Sequence, residues 1–239
     1  MTIAAESWSA YTAKLERINK KAAGEAKRIL ASFGGELTED AITAITAAVT
    51  KYGEAAAALA CQIYDEIAEA QGVLLLQFSE PADVRQPAYI ARVLKQYSER
   101  APTTVPDQMA AIVKQAAADT TLKNARRDKA EFAWIPVGDT CPFCLSLAAR
   151  GWQEAKKGVS AEHIHAHCNC QYAVRFDKKS GVAGYNPDHY KRIYSLAPGE
   201  TSLEKINSLR REQYAENADE INAKKRAAYA ARKERETDA

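Results

Sequence analysis

Two short stretches decide the fold: Cys141-Pro-Phe-Cys144, and His163-Ile-His165-Ala-His167-Cys168-Asn-Cys170 further along the chain. In the first stretch two residues separate the cysteines, which places both thiols one tight turn apart, so that their sulfurs can reach a single metal ion. Pro142 stiffens that turn because its ring fixes the backbone. The crowding of imidazole and thiol groups in the second stretch predicts that both stretches bind the same ion.

The second stretch offers two alternative pairs of ligands, His165 with Cys168 and His167 with Cys170. Both pairs have the same spacing, so either can complete a tetrahedron, and the sequence leaves both open. Zinc fits because it prefers thiolate and neutral imidazole ligands and has no redox chemistry, and a closed four-ligand site is structural. We predict one structural zinc ion per chain, with the candidate ligands Cys141, Cys144, His165, His167, Cys168 and Cys170.

The composition is that of a chain that buries a core in a reducing compartment. Of its 239 residues 46% are hydrophobic, and 33 Lys and Arg nearly balance 31 Asp and Glu, so no global field attracts nucleic acid or an anionic membrane. The longest run of large apolar residues, 73–76, is too short to span a bilayer, and the first residues lack a signal-peptide pattern. Five cysteines, an odd number, favour a metal site over disulfides, and the isolated Cys61 is expected to be a buried, inert thiol.

The first part of the chain is predicted to be a helical domain, residues 1–132. Apolar residues recur there at spacings of three and four, which predicts helices over residues 9–33, 39–71, 83–98 and 107–132. Thr38 is the expected N-cap of the second helix, because its hydroxyl can accept a hydrogen bond from the first turn. Gly53 is the weak point of that helix.

The remainder is predicted to contain a zinc-binding α+β element and a C-terminal arm. Residues 133–177 form the element, with a short extended segment at 134–137, a helix after Cys144 and an alternating strand at 171–176. Residues 178–239 form a surface loop and a charged helical arm. The expected fold is therefore mainly α, with two or three short strands in the zinc-stapled element.

The string Trp134-Ile-Pro-Val-Gly-Asp-Thr-Cys141-Pro-Phe-Cys144-Leu-Ser-Leu-Ala-Ala-Arg-Gly151, with the later His165-Ala-His167-Cys168-Asn-Cys170, resembles the Mu F-like minor head proteins of tailed bacteriophages. The match is to the head morphogenesis proteins found in actinobacteriophages, and it is specific over residues 132–176. The resemblance implies a structural virion component without catalytic activity. It also implies synthesis in the host bacterial cytoplasm and association with the portal protein and the major capsid protein, or the head interior, in head assembly or DNA packaging and delivery.

A zinc-dependent nuclease of the His-Asn-His type is the alternative enzymatic hypothesis. His163 would act as the general base on water, with Asn186 and His189 further along the chain. Cys168 and Cys170 crowd the proposed base, which disfavours this function, and we predict that the chain is not an enzyme.

A zinc-bearing nucleic-acid-binding module is the other alternative. Its phosphate contacts would come from the C-terminal basic run and from Lys123, Arg126, Arg127 and Lys129. Solvated helix faces explain each run more simply, although both runs can lie near packaged DNA in a head protein. The charged residues from 202 onward can form an exposed helix or an arm that folds on a partner.

Overall fold

A computed structural model describes residues 2–3, 5–98, 104–138, 140–156, 168–220, 222–223, 226–227 and 229–230. Within these residues the protein is mainly α-helical with two small sheets, which confirms the predicted fold class. The elements in chain order are β1 (Thr2–Ile3), α1 (Ala5–Ser32), α2 (Glu39–Ala70), α3 (Pro87–Ser98), α4 (Val105–Arg127), β2 (Glu131–Ile135), α5 (Pro142–Ala148), β3 (Gln153–Glu154), β4 (Gln171–Arg175), β5 (Gly181–Val182), α6 (Pro187–Leu196) and α7 (Ser202–Glu216).

The three long helices α1, α2 and α4 pack against one another and form the main core. The buried side of α1 includes Tyr11, Leu15, Ala22 and Leu30, which recur at the spacing of one helix face. Alanines on α2 allow its neighbours to approach closely. Helix α4 is buried around most of its circumference, because it contacts both other helices and also strand β4.

The predicted N-cap of α2 is confirmed. The hydroxyl of Thr38 accepts a hydrogen bond from the backbone N–H of Ala41 at 3.2 Å, which satisfies one of the otherwise unpaired amides of the first turn. Glu39 and Asp40 follow in that turn, where the positive end of the helix favours carboxylates. The sequence pattern therefore identified both the start and the length of this helix.

Several predicted helix boundaries are wrong. The first helix begins at Ala5 rather than at residue 9. The third helix begins at Pro87 rather than at residue 83, because α4 holds the preceding backbone in an extended form: Glu80 N donates to Asn124 Oδ1 at 2.9 Å and Ala82 N donates to Thr120 Oγ1 at 3.0 Å. The fourth helix ends at Arg127 rather than at residue 132. Lys129 turns the chain with a φ of 55°, and the following residues form strand β2.

Strand β2 is the centre of a three-stranded antiparallel sheet in the order β3-β2-β4. Its pairing with β4 sets Phe132 opposite Val174, Trp134 opposite Tyr172 and Ile135 opposite Gln171. The ring of Tyr172 lies edge-on to Phe132 and Trp134, with centroid distances of 5.2 and 4.7 Å. The strand predicted at residues 171–176 is confirmed, whereas the first strand lies earlier than predicted and crosses the proposed domain boundary at residue 132.

A second pairing was not predicted from the sequence. Strand β5 lies in the segment expected to be a surface loop, and it pairs in parallel with β1, so that Thr2 is opposite Gly181 and Ile3 is opposite Val182. The side chains of Ile3 and Val182 are buried in the core. Two-residue strands carry too little alternation to be recognised by pattern.

Substitution of Gly53 tests the packing between α2 and the segment before α3 that contains Val84. A Cβ atom on Gly53 would lie 2.9 Å from Val84 Cγ1, whereas a Cβ atom on Gly24 of α1 would meet nothing within 4 Å. We expect Gly53→Ala to lower the free energy of unfolding by about 1 kcal/mol, because overpacking outweighs the gain in helix propensity. Chemical denaturation measures this difference.

The matched control is Gly24→Ala, which should raise the free energy of unfolding by up to about 1 kcal/mol because only helix propensity changes. Val84→Ala combined with Gly53→Ala should recover most of the loss, since the smaller side chain removes the contact. Equal stabilisation by both glycine substitutions would contradict the close approach of Val84.

Candidate metal centre

The first pair of cysteines is positioned by the start of helix α5. Cys141 is its N-cap residue, and the Cys141 sulfur accepts a hydrogen bond from the backbone N–H of Cys144 at 3.4 Å. Pro142 occupies the first helical turn, where its missing N–H costs nothing. The predicted helix after the cysteine pair is thus present, and the positive end of its dipole favours the thiolate form that binds metals.

The second pair of cysteines is positioned by strand β4. Cys168 and Cys170 come immediately before Gln171, the residue that pairs with Ile135 at the end of β2. Helix α5 follows β2 after a short connection. Because the two strands are antiparallel, the chain leaving β2 and the chain entering β4 lie at the same end of the sheet.

Three thiols meet at that end of the sheet. The sulfurs of Cys144, Cys168 and Cys170 all lie within 4.8 Å of one another, and all three residues are buried. The sulfurs of Cys144 and Cys168 are 3.4 Å apart. Tetrahedral zinc with Zn–S bonds near 2.3 Å places its sulfurs roughly 3.8 Å apart, so the spacing of these thiols suits a common ion.

Cys141 adjoins this group. The residue is half-buried, and a hydrogen bond between its side chain and that of Cys144 is the largest of the effects that raise the pKa of the Cys144 thiol. Hydrogen bonds with Cys168 and Cys170 and then burial raise that pKa further. Crowded, buried thiols hold their protons because neighbouring thiolates repel, whereas a divalent cation reverses this preference. The three buried thiols of Cys144, Cys168 and Cys170 can therefore hold a metal ion, whereas Cys141, the fourth predicted cysteine ligand, lies beside this group and is not part of it.

Lys114 of α4 is a part of the site that the sequence analysis missed. The residue is only 1% exposed, and its ammonium group donates a hydrogen bond to the backbone carbonyl of Cys168. Burial lowers the pKa of Lys114, and the nearby Cys168, Cys170 and Cys144 oppose that change. A buried cation beside these thiols offsets the negative charge that thiolate ligands bring.

A signal for Lys114 was available in the sequence. Small and apolar residues of α4 itself occur on most sides of the helix, as is typical of a helix without a polar face toward solvent. A lysine at the middle of such a helix has no exposed face to occupy. Burial with a charged or polar partner could therefore have been expected from the absence of a polar stripe.

The structure brings together one cysteine from each of the two alternative pairs. His165 and His167, together with His163, lie outside the described residues. Cys168 and Cys170 instead share the neighbourhood of Cys144, as two thiols separated by one residue. Cys61, expected to be buried, is only half-buried in α2, and its backbone carbonyl accepts a hydrogen bond from the Ser79 hydroxyl at 3.0 Å.

The residues invoked for a nuclease have other contacts. Asn186 is the N-cap of α6, and its side-chain oxygen accepts hydrogen bonds from the backbone N–H groups of Asp188 and His189 at 3.0 and 3.4 Å. The exposed His189 ring lies edge-on to Tyr190 at a centroid distance of 5.4 Å. The Asn186 side chain thus begins α6, and the His189 ring contacts its neighbour on that helix.

The fold and the cluster define a mainly helical protein with a cysteine-lined site that can hold a metal ion. Residues 2–197 match the family model described as VG15 protein, and the chain belongs to this family. The family is viral and indicates a phage protein. No curated protein and no solved structure matches the chain significantly. None of the described helices is long and apolar enough to cross a membrane.

Cys144→Ser tests the metal centre, with Cys61→Ser as its matched control. Cys144 is fully buried among the other thiols, whereas Cys61 lies apart on α2. We expect purified Cys144→Ser to lose the bound metal and to become sensitive to protease between residues 134 and 176, because metal binding contributes directly to folding. Cys61→Ser should retain both properties. Elemental analysis and limited proteolysis measure them, and full metal content in Cys144→Ser would contradict the site.

Lys114→Met tests the buried ammonium group. The substitution keeps the length of the side chain but removes the charge and the hydrogen bond to Cys168. We expect the metal affinity to fall by about 10- to 100-fold, as for other residues that support metal ligands. Competition with a chelator measures the affinity. Lys123→Met, on an exposed position of the same helix, should leave it unchanged.

Proposed function

We propose that this chain is a structural minor head protein of a tailed phage, located in the virion at the portal vertex or in the head interior. It would contact the portal protein and the major capsid protein and assist head assembly or DNA packaging and delivery. One zinc ion per chain would fasten α5 to the start of β4. The chain would be made in the host cytoplasm and would have no enzymatic activity.

The observation that carries this proposal is the cysteine-bearing segment. The order of Cys141, Cys144, Leu147, Arg150 and Gly151, followed by a Cys-x-Cys end, is the arrangement for which the chain resembles Mu F-like minor head proteins. Membership of a viral family over residues 2–197 agrees with this origin. The resemblance covers the thiols that meet in the fold, which gives it a physical basis as well as a sequence basis.

The environment of the thiols favours a structural rather than a catalytic metal. Cys144 and Cys170 have no exposed surface, and Cys168 is 7% exposed. A catalytic zinc ion keeps an open position for water or substrate beside a cleft, whereas a closed sulfur site stabilises the fold. Zinc is the ion of choice because thiolate ligands are typical of structural zinc sites.

The basic run on α4 favours contacts within the protein over contacts with DNA. Arg127 donates to the carbonyls of Phe78 and Gln77 at 2.9 and 3.2 Å and forms an ion pair with Asp128. Lys123 forms an ion pair with Glu80 at 3.2 Å and donates to the Pro81 carbonyl. Cations that are engaged in this way offer little charge to phosphate groups, so we propose protein partners first.

Particle composition tests the proposed function. We expect purified, DNA-filled particles of the parent phage to contain this chain in low copy, measured by quantitative mass spectrometry of intact virions. A phage that carries Cys144→Ser should yield particles with little of the chain and reduced infectivity, because the unfolded segment cannot assemble. A phage that carries Cys61→Ser should resemble the wild type.

The opposite outcome is equally measurable. If the chain is found only in the cytosol of infected cells and cleaves DNA in a metal-dependent manner, the nuclease hypothesis replaces the structural one. If particles without the chain assemble, package and infect normally, the chain has no structural role in the head.

A further inference from the structure

The segment between α2 and α3 exposes three large apolar side chains. Leu74, Leu76 and Phe78 are 92%, 99% and 86% exposed. They are every second residue of a segment that bends at Leu76 and Gln77 and belongs to no helix or sheet. Large side chains are rarely left so exposed in a cluster unless the surface binds a partner. We call residues 73–78 the apolar strand.

The apolar strand is held at both ends. At its start, Val73 N donates to the Ala68 carbonyl at 2.9 Å, which closes the end of α2. At its end, Arg127 holds the carbonyls of Gln77 and Phe78, and Ser79 N donates to Asp65 Oδ1 at 3.1 Å. The exposed side chains are therefore presented by a fixed backbone, which lowers the entropy cost of binding.

A groove on another part of the same chain is lined by apolar side chains and is therefore suited to bind exposed apolar residues. Helices α5, α6 and α7 enclose a cavity of about 790 Å³. This volume lies within the range of about 300 to 1,000 Å³ that is typical of binding pockets. Phe143, Leu147, Tyr194, Leu203 and Ile206 supply apolar surface to it.

The charges around the two surfaces are opposite. Arg150, Lys191, Lys205 and Arg210 surround the groove, and none of the described residues that line it is acidic. Exposed carboxylates flank the apolar strand, at Glu66 and Glu69 before it and Asp83 after it. The cations beside it, Lys123 and Arg127, are ion-paired with Glu80 and Asp128. Opposite charges at the rim of an interface guide the approach of partners and disfavour other orientations.

From these two surfaces we infer that the apolar strand of one copy of this chain inserts into the α5–α7 groove of a second copy. The strand is exposed on its own chain, so it does not fill its own groove. The two surfaces differ, and the contact is therefore heterologous: a pair of copies keeps one free strand on one copy and one free groove on the other. Repetition of such a contact produces a closed ring or a filament. This inference does not depend on the proposed function.

Two single variants and their mixture test the contact. Leu76→Glu places a charge on the apolar strand, and Leu203→Glu places one in the groove. We expect wild-type protein to self-associate with rising concentration in sedimentation velocity and native mass spectrometry, and each variant to associate at least about tenfold more weakly. Each variant retains one intact surface, so an equimolar mixture should form a one-to-one heterodimer that grows no further.

Controls for these variants are available on the same elements. Gln77→Glu adds the same charge at the neighbouring exposed, polar position, and Ala215→Glu adds it on α7 outside the groove. Both should associate like the wild type. Lys191→Glu removes charge complementarity without touching an apolar contact and should weaken association. Helix content and bound metal, measured for every variant, show that the fold is retained.

Three results would overturn the inference. Wild-type protein that stays monomeric at all concentrations has no such contact. Self-association of Leu203→Glu at wild-type strength would show that the groove is not used and that the strands pair with each other or with a different surface. A mixture that forms no heterodimer would show that the two surfaces do not meet.

Discussion

The antiparallel pairing of β2 with β4 is the constraint on which the rest of the structure depends. It places Ile135 opposite Gln171, so the cysteines that follow β2 and the cysteines that precede β4 lie at one end of the sheet. Cys144 and Cys168 are 24 residues apart in the sequence, and the pairing brings their sulfurs to within 3.4 Å of each other. The pairing sets the positions of the thiols. The thiols in turn favour this register of β2 and β4, because a bound ion would stabilise it over any shifted register.

Helix α4 connects the sheet and the cysteines to the helical core through polar side chains that face inward. Asn124 and Thr120 hold the extended segment after the apolar strand, and Lys114 holds the carbonyl of Cys168. A buried polar group is costly unless it is paired, so each of these contacts fixes one arrangement of the chain around α4. The helix thus acts as the internal scaffold for both the metal centre and the surface strand.

The features predicted from the sequence depend on interactions between neighbouring residues, and the features that were missed depend on tertiary contacts. The amphipathic helices, the N-cap at Thr38 and the helix after Cys141 depend on neighbouring residues and were predicted. The late start of α3 and the early end of α4 depend on tertiary hydrogen bonds and on a turn at Lys129, which a periodic pattern does not contain. For the centre, the sequence predicted the cysteines but left the choice of pairs open, because only the fold determines which side chains meet.

Helix α5 links the interior of the protein to its outer surface. It has seven residues, too few to be stable alone, and its position depends on its packing against β2, α6 and α7 and on the thiols. Cys144 lies on its buried side, whereas Phe143 and Leu147 line the groove. An ion held by the cysteines would therefore also fix one wall of the groove. Loss of the ion would release that wall, so the proposed structural ion would also control the proposed association of the chain with another copy.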